Sequence, residues 1–330
     1  MSTLPTTMQR VSIYKYGPPQ NLVVEQVPVP VPGPQEVLVR VMAASVNRTD
    51  CGFLTGKPYI ARLFGGIPNP RYRALGCEFA GLVAAVGNKV TKFKPGQRVF
   101  GFNDARFGAH AQFVLQKETA AMALIPNTVS YQQAATGTEG VHYAWNNLQK
   151  AGVRPGMQVL INGATGAIGS AAVQLAKYLG ATVTAVCAAK HAPLVASLGA
   201  SRVIDYTSQD FTKLPERFHF VFDAVGKSSF THCKKLLLPR GIYISTELGP
   251  AWQNVRLGLL APFMRGPKAL FPIPFHSAEK VAFLGQLMAQ GHFNPVIDRT
   301  YPLHQVPQAF EYVASGQKIG NVLVEIPPVG

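Results

Sequence analysis

Three glycines at three-residue intervals, between a buried strand and a helix, constrain the fold of this chain more than any other feature. The strand is predicted for 158–162, and the segment Gly163-Ala164-Thr165-Gly166-Ala167-Ile168-Gly169 leads from it into a helix predicted for 169–179. Glycine permits a tight turn and lets backbone N–H groups approach a diphosphate without an intervening Cβ, while the helix N-terminus adds partial positive charge. The spacing therefore predicts a dinucleotide-binding loop.

The segments around this loop alternate between strand and helix. Further strands are predicted for 182–187, 202–205, 218–223 and 241–245, and further helices for 133–150 and 192–198. This alternation is typical of a doubly wound parallel sheet. The first third of the chain has short strands punctuated by Gly and Pro, which predict a partly open β-barrel or sandwich, at 22–31, 36–43, 79–86 and 93–100. A helix at 278–290 and a strand at 321–326 follow. The fold class is therefore predicted to be α/β with a β-rich first domain.

The chain is basic because it has few acids. Its 330 residues include 31 Lys and Arg against 16 Asp and Glu, which gives a net charge of +15. It has no Lys/Arg-rich tract, so no nucleic-acid partner is expected, and the positive field favours anionic ligands.

The four cysteines form no CxxC pair, which argues against a disulfide framework or a zinc ribbon. Without a signal-peptide pattern or an apolar run near ~20 residues, we expect a cytoplasmic protein.

The end of the second strand of the α/β region indicates which cofactor the loop binds. Sheets that bind NAD usually place Asp or Glu there, where the carboxylate bonds the ribose 2′-hydroxyl. This chain has Cys187-Ala188-Ala189-Lys190-His191, with no carboxylate and with a lysine that can meet a 2′-phosphate. Asp205 lies one strand further along the chain and is not assigned to the ribose. We therefore expect NADPH, with Ala188 and Lys190 among its contacts.

Several motifs outside the loop resemble a single family. The segment Ala44-Ser45-Val46-Asn47-Arg48-Thr49-Asp50 is similar to its Ala-Ala-Ser-Val-Asn-x-x-Asp, and residues 76–87 resemble its Gly-x-Asp-x-x-Gly-x-Val-x-x-Val-Gly run. Its nucleotide-binding half is matched by Ala176-Lys177, Gly180-Ala181, Leu198-Gly199-Ala200 and Val203-Ile204-Asp205-Tyr206. The family is the medium-chain dehydrogenase/reductase superfamily, and the branch is that of the zinc-independent quinone oxidoreductases similar to zeta-crystallin.

The resemblance implies a domain arrangement. A GroES-like β-rich catalytic domain would begin in residues 1–128, a Rossmann NADP-binding domain with a doubly wound parallel sheet would occupy 129–275, and residues 276–330 would return to complete the catalytic domain. The same resemblance implies a homodimer.

The resemblance also implies site residues. Tyr206 would pack beside the adenosine phosphate, and the nicotinamide would be lined by Val225, Gly226, Ser245 and Thr246. Tyr59 would donate a proton or hydrogen bond to the reacting substrate, as a phenol can. Asn47 would orient the nicotinamide amide or the substrate carbonyl. His142 is a further candidate donor, with a core histidine as the alternative.

The metal ligands of the related zinc enzymes are largely replaced here. Asn47 stands where the first cysteine ligand would be, and its amide is a poor zinc ligand. Cys77-Glu78 stands where His-Glu would be read. We therefore expect no metal, with Cys77, Glu139 and His142 as an unorthodox alternative site. Without a Lewis acid, NADPH reduction of a quinone or an α,β-unsaturated carbonyl is the expected reaction. A zinc alcohol dehydrogenase is the second hypothesis.

The segment from Gly249 to Phe275 is apolar and interrupted by prolines. It could form a lid, an interface with another subunit or a membrane, or an ordinary loop that covers the core. A third hypothesis follows from it and from the net charge: a nucleotide-binding protein at the periphery of an anionic membrane, with little turnover.

Overall fold

The computed structural model describes residues 4–59 and 62–328. The β-strands within these residues are β1 Thr7–Ile13, β2 Leu22–Pro28, β3 Glu36–Val46, β4 Glu78–Val86, β5 Arg98–Phe102, β6 Phe113–Lys117, β7 Met122–Leu124, β8 Gln158–Asn162, β9 Thr182–Cys187, β10 Arg202–Asp205, β11 Phe218–Asp223, β12 Leu237–Ser245, β13 Lys268–Leu270, β14 Ile297–Pro302 and β15 Asn321–Glu325. The α-helices are α1 Arg48–Thr55, α2 Arg62–Gly65, α3 Tyr131–Thr136, α4 Glu139–Lys150, α5 Ala167–Tyr178, α6 Ala192–Ser197, α7 Phe230–Cys233, α8 Gln253–Leu260, α9 Ala278–Ala289 and α10 Val306–Ala314. None of the helices in the described ranges is long and apolar enough to cross a bilayer.

The chain divides into two compact units. The first unit contains the described residues up to Glu139, together with His276–Gly291 and the residues from Ile297 onward. The second unit contains Gly140–Phe275 and His292–Val296. The chain therefore leaves the first unit, builds the second and returns to the first, with a short second visit to the second unit at His292–Val296.

The sheet of the first unit is built on β3. Its strand order is β14-β15-β3-β4-β5-β7, and β6 also pairs with β3. The long strand β3 pairs with β4 along most of its length, with β6 near its start and with β15 at its end. Val39, Val41 and Phe79 pack with Phe310 of α10 in one buried core. Because β15 and α10 belong to the returning segment, that segment is part of this core.

The sheet of the second unit is parallel, with the order β10-β9-β8-β11-β12-β13. The predicted doubly wound sheet is confirmed. From β8 the chain builds β9 and β10 on one side and then crosses to β11 and β12 on the other. Ligands of such sheets bind beyond the carboxyl ends of the strands at the point where the order reverses. The glycine loop directly follows β8 and lies at that point.

The helix predicted for 133–150 is interrupted. It consists of α3 and α4, separated by Gly137 and Thr138. A Cβ at Gly137 would lie 2.7 Å from the carbonyl oxygen of Gln133 and 2.5 Å from the sulfur of Met288, so only glycine fits this turn. Periodicity did not reveal the break because the apolar pattern continues across it.

Other predicted elements differ in their limits. The segment predicted for 93–100 contains a turn at Lys94-Pro95-Gly96, as the sequence indicates, and Gly96 has a positive φ of 85°. Its strand part, from Arg98, is β5 and extends to Phe102. The segment 249–275 contributes α8 and β13, and β13 extends the parallel sheet. Strand β1 has no counterpart among the predicted strands.

The glycine loop gives a test of this packing. A Cβ at Gly169 would lie 2.1 Å from the carbonyl oxygen of Gly163, whereas a Cβ at Gly166 would approach that oxygen only to 3.7 Å. We expect Gly169→Ala to lower the free energy of unfolding by about 1–3 kcal/mol, the usual cost of overpacking. Gly166→Ala is the matched control and should cost at most about 1 kcal/mol, as for an alanine at a helix N-cap. Urea unfolding of both variants measures the difference, and equal losses would contradict it.

Candidate functional site

The loop after β8 is held by backbone contacts. The N–H groups of Gly163 and Ala164 both donate to the carbonyl oxygen of Val186, at 3.2 and 3.1 Å. Gly163 has a positive φ of 79°, and a Cβ there would lie 2.7 Å from the Cβ of Val225. Glycine is therefore required at this position both by conformation and by space.

The start of α5 is open to a ligand. Gly166 is the N-cap residue, and no side chain caps the helix. The first-turn N–H groups of this twelve-residue helix begin at Ala167 and Ile168, next to Thr165 of the loop. Helix N-termini of this kind bind anions through their N–H groups and their dipole. The room beside Gly166 and the uncapped helix start fit a dinucleotide diphosphate.

The end of β9 carries both a cation and a carboxylate. Ala188 precedes a short 3₁₀ turn at Ala189–His191, and Lys190 within it is exposed. Asp205 pairs with Cys187 in the sheet register, and its carboxylate accepts a hydrogen bond from the N–H of Ala189 at 3.2 Å. An acid therefore lies at this edge, although it is one strand further along the chain. Spacing along the sequence set Asp205 aside, because only the sheet register shows that the two strand ends lie side by side.

The carboxylate of Asp205 is occupied by local hydrogen bonds. It accepts from the N–H of Thr207 at 3.0 Å and from the hydroxyl of Thr207 at 2.8 and 2.7 Å. These bonds, the backbone one first, lower the pKa of Asp205 below its ordinary value. The next residue, Tyr206, is 60% exposed beside this turn.

A buried aspartate organises the neighbouring strand end. Asp223 closes β11 and is fully buried. It accepts hydrogen bonds from the side-chain amide of Asn162 at 3.0 Å and from the N–H of Ser228 at 2.8 Å. The loop between these bonds contains Val225 and Gly226. Sequence reasoning passed over Asp223; the signal was a single acid that ends an apolar strand.

The predicted nicotinamide-lining residues gather at this edge of the sheet. Ser245 ends β12 and pairs with Asp223 in register, and the N–H of Thr246 donates to the Asp223 carbonyl oxygen at 3.2 Å. Val225 lies close enough to Gly163 to exclude a side chain there. The second unit thus brings the predicted residues 163–169, 225–226 and 245–246 to the ends of adjacent strands.

The first unit contains a separate cluster of buried polar groups around Glu78. The Glu78 carboxylate accepts hydrogen bonds from the Thr138 hydroxyl and the Glu139 N–H, each at 2.6 Å. It also accepts from the side-chain amide of Asn47 at 3.2 Å and from the hydroxyl of Ser45. The break between α3 and α4 makes this possible, because it presents both the Thr138 hydroxyl and the first N–H of α4 to one oxygen. Four donors compensate for burial of the carboxylate.

Asn47 is held by the same cluster. Asn47 is buried at the N-cap of α1. Its side-chain oxygen accepts a hydrogen bond from the N–H of Asp50 at 3.0 Å, and the Asp50 carboxylate accepts one from the N–H of Asn47 at 3.1 Å. The Asn47 amide also donates to the sulfur of Cys77 at 2.9 Å. Through these bonds the Asn47 side chain holds the start of α1 against the start of β4.

Glu139 is a buried acid with a hydroxyl and a lysine beside it. The Thr49 hydroxyl donates to its carboxylate. Burial, and then the charge of Glu78, raise the pKa of Glu139 well above its ordinary value, and the electrostatic effect of Lys318 opposes this. Burial lowers the pKa of Lys318, whose ammonium donates to the carbonyl oxygen of Gly320 at 2.6 Å. This pair was not among the predicted catalytic residues.

The two other predicted catalytic side chains lie elsewhere. Tyr59 is 68% exposed, and the guanidinium of Arg62 lies 5.0 Å from the centre of its ring. His142 is buried in α4, within the second unit, where its ring contacts that of Tyr143 edge-on.

The alternative metal site can be examined at the residues named for it. Among residues 4–59 and 62–328, no group of three or more His, Cys, Asp or Glu side chains is placed to hold a metal ion. Burial raises the pKa of the Cys77 thiol well above its ordinary value.

The cluster predicts a pH dependence of stability. Burial raises the pKa of Asp50 from 3.8 to about 7. Between these values the folded state binds a proton that the unfolded state has released, so the free energy of unfolding falls as pH rises. The slope from this group is about 1.4 kcal/mol per pH unit and ends near pH 7. Asp50→Asn should have a flatter profile from pH 4 to 7, because this group is lost and because the Asp50 charge that helps to raise the pKa of Glu139 is removed with it. Denaturant unfolding across this range tests it, and parallel profiles would contradict it.

Comparison with known proteins places the chain among oxidoreductases. Residues 33–145 match the alcohol dehydrogenase GroES-like domain family, and residues 198–324 match the zinc-binding dehydrogenase family. A 2-methylene-furan-3-one reductase of Solanum lycopersicum is 30% identical over 99% of this chain and 81% of its own length. A chloroplastic quinone oxidoreductase, QR1, of Triphysaria versicolor is 29% identical over 91% of this chain and 92% of its own length.

A solved structure has the same fold. The quinone oxidoreductase of Coxiella burnetii superposes with a TM-score of 0.87 at 24% identity, over 97% of this chain and 100% of that one. The predicted combination of a GroES-like domain with a Rossmann domain is confirmed. The chain belongs to the medium-chain dehydrogenase/reductase superfamily, with the quinone oxidoreductases and enone reductases as relatives.

Proposed function

We propose that this protein is an NADPH-dependent oxidoreductase that reduces quinones, or the C=C bond of α,β-unsaturated carbonyl compounds, without zinc. The observation that carries the proposal is the glycine loop with the uncapped start of α5, which fits a dinucleotide diphosphate. The names of the relatives, a furanone reductase and a quinone oxidoreductase, support the substrate class.

The second unit holds the cofactor in this proposal. The N–H groups at the start of α5 bind the diphosphate, and the exposed ammonium of Lys190 binds the 2′-phosphate. Asp205 positions the turn that carries Lys190 through its bond to Ala189. When bound, the nicotinamide supplies a hydride.

The first unit supplies the proton that must follow a hydride. We propose Tyr59 as the donor, because its phenol is exposed to solvent and can both release a proton and regain one. Thr49 with Glu139 is a second source, since burial raises the pKa of Glu139 and so favours its protonated form. Asn47 acts as a positioning residue, and His142 is retained as a candidate donor.

Cellular context and assembly complete the proposal. We propose a cytoplasmic homodimer that acts on a small-molecule carbonyl or quinone. Cell fractionation and light scattering test these two statements separately from the chemistry.

Cofactor choice gives the first test. Lys190→Ala should weaken NADPH binding about 10–100-fold, the effect of losing a hydrogen bond to a charged group, while NADH binding changes little. Lys150→Ala is the matched control, because it removes one exposed lysine from the same unit. Fluorescence titration with both cofactors measures this. Equal binding of NADH and NADPH by the wild type would contradict the choice of NADPH.

Proton donation gives the second test. Tyr59→Phe should lower kcat about 10²–10³-fold on an enone, with cofactor affinity unchanged, because the phenol is lost and the ring kept. Tyr178→Phe, another exposed tyrosine, is the control. If Tyr59→Phe is fully active and Thr49→Val is not, the proton comes from Thr49 and Glu139. Stoichiometric zinc together with alcohol oxidation would overturn the proposed reaction.

A further inference from the structure

The guanidinium of Arg62 contacts two tyrosine rings. It lies 4.6 Å from the centre of the Tyr16 ring and 5.0 Å from the centre of the Tyr59 ring. At these distances a guanidinium is attracted to the negative face of an aromatic ring. Arg62 therefore connects Tyr59, the proton donor of the proposed reaction, to the residues that follow β1.

The same guanidinium is fixed to the end of α1. Its Nε–H donates to the carbonyl oxygen of Gly56 at 3.1 Å, and its Nη2 donates to the carbonyl oxygen of Thr55 at 3.3 Å. Thr55 ends α1, and Gly56 is its C-cap residue. The last carbonyl groups of a helix lack partners within the helix, and the helix dipole favours a cation there. The end of α1 thus holds the charge of Arg62 in one place.

The glycine at the C-cap makes this approach possible. Gly56 has a positive φ of 60°, and a Cβ there would lie 2.5 Å from the Nε atom of Arg62 and 2.8 Å from the Cδ1 atom of Tyr16. A side chain at position 56 would displace the guanidinium or the ring. The glycine of Gly56-Lys57-Pro58-Tyr59 therefore has a defined purpose, which is to leave room for Arg62.

Tyr16 is itself anchored on the buried side of Arg62. Its hydroxyl donates to the carbonyl oxygen of Gly66 at 2.9 Å, directly after α2. Its ring meets the ring of Phe53 in α1 edge-on, with the centres 6.5 Å apart. Tyr16 and Arg62 are half-buried, whereas Tyr59 is 68% exposed. The guanidinium is therefore supported from the protein side and offers a fixed contact to the exposed ring of Tyr59.

An exposed proton donor needs a support of this kind. Exposed side chains change rotamer within picoseconds to nanoseconds. A donor is effective only while its hydroxyl lies within hydrogen-bond reach of the atom that takes the proton. A cation held beside the ring of Tyr59 reduces the number of orientations that the phenol samples.

We propose that Arg62 is a positioning residue that holds the phenol of Tyr59 in the orientation from which it donates its proton. The role rests on the proposed function. Hydride addition to an enone leaves an enolate, the O–H bond of Tyr59 breaks as its proton moves to the α-carbon, and solvent returns a proton to the phenolate. Arg62 keeps its charge throughout and exchanges no proton.

A double-mutant cycle on the full-length protein tests the proposal, with NADPH and 2-cyclohexen-1-one as the probe. Arg62→Gln should lower kcat about 10–100-fold, the cost of misplacing a reacting group, with KM and NADPH affinity little changed. In the Tyr59→Phe background the same substitution should change kcat by no more than about twofold, because no phenol remains to be oriented.

Arg73→Gln is the matched control. The guanidinium of Arg73 also lies over a tyrosine ring, 4.7 Å from the centre of Tyr14, and it is exposed on the same unit. This variant removes the same charge and the same kind of contact from a different tyrosine, so it should leave kcat unchanged. The solvent deuterium isotope effect on kcat should rise in Arg62→Gln only, because proton transfer then limits turnover more strongly. A purely structural role of Arg62 would not change this isotope effect.

A second variant covers the case in which thermal unfolding shows that Arg62→Gln is not folded. Tyr16→Leu keeps Arg62 and its bonds to α1 but removes the ring that supports the guanidinium. It should lower kcat in the same direction, and again only when Tyr59 is present.

Failure of the positioning role can be told apart from failure of the proposed function. If the wild type does not reduce the enone, or if Tyr59→Phe alone keeps full activity, the substrate class or the donor is wrong and the role of Arg62 falls with it. If Tyr59→Phe is impaired but Arg62→Gln lowers kcat equally in both backgrounds, or in neither, the donor stands and the positioning role is overturned.

Discussion

The close approach of Gly163 and Gly169 is the constraint on which the second unit depends. The carbonyl oxygen of Gly163 comes so near to Gly169 that a Cβ there would lie 2.1 Å away. This contact brings the start of α5 back over the end of β8, directly beside the strand that carries Asp223. A bulkier turn would move the helix N-terminus away from the point where the strand order reverses, and the N–H groups would no longer converge there. The same backbone contact therefore sets how α5 packs on β8 and where the N–H groups at the start of α5 point.

The first unit depends on a different feature, which is a cluster of buried carboxylates. Glu78, Asp50 and Glu139 are all buried in one cluster. Glu78 is satisfied by four donors, while burial raises the pKa of the other two. Holding a proton on Asp50 or Glu139 avoids a second uncompensated charge next to Glu78. Asn47 contributes an amide where a zinc ligand would stand in related enzymes, and that amide binds Cys77 and Glu78 directly.

Much of the fold followed from local pattern. The parallel sheet was predictable because each strand is a short apolar run bounded by turns, and the loop of residues 163–169 because glycine spacing has a direct conformational meaning. The break at Gly137 was not predictable, since it depends on Met288, far away in sequence. Asp223 was missed and Asp205 was set aside for the same reason: their importance comes from sheet register, which places strand ends side by side. The Glu78 cluster joins residues from β3, α1, β4, α4 and the returning segment, and no spacing rule connects them.

The distribution of acids explains why the surface of this protein is more basic than its composition suggests. Of 16 Asp and Glu residues, Asp50, Glu78, Glu139 and Asp223 are buried, so 16 minus 4 leaves 12 to oppose the cations at the surface. The buried acids fix loops and helix starts by accepting backbone and side-chain hydrogen bonds, and they contribute little to the outer field. Lys190 is exposed at the end of β9, and the nearby Asp205 is occupied by hydrogen bonds from Thr207 and Ala189. A positive surface over a core that uses its carboxylates internally is suited to phosphate-bearing ligands such as a dinucleotide.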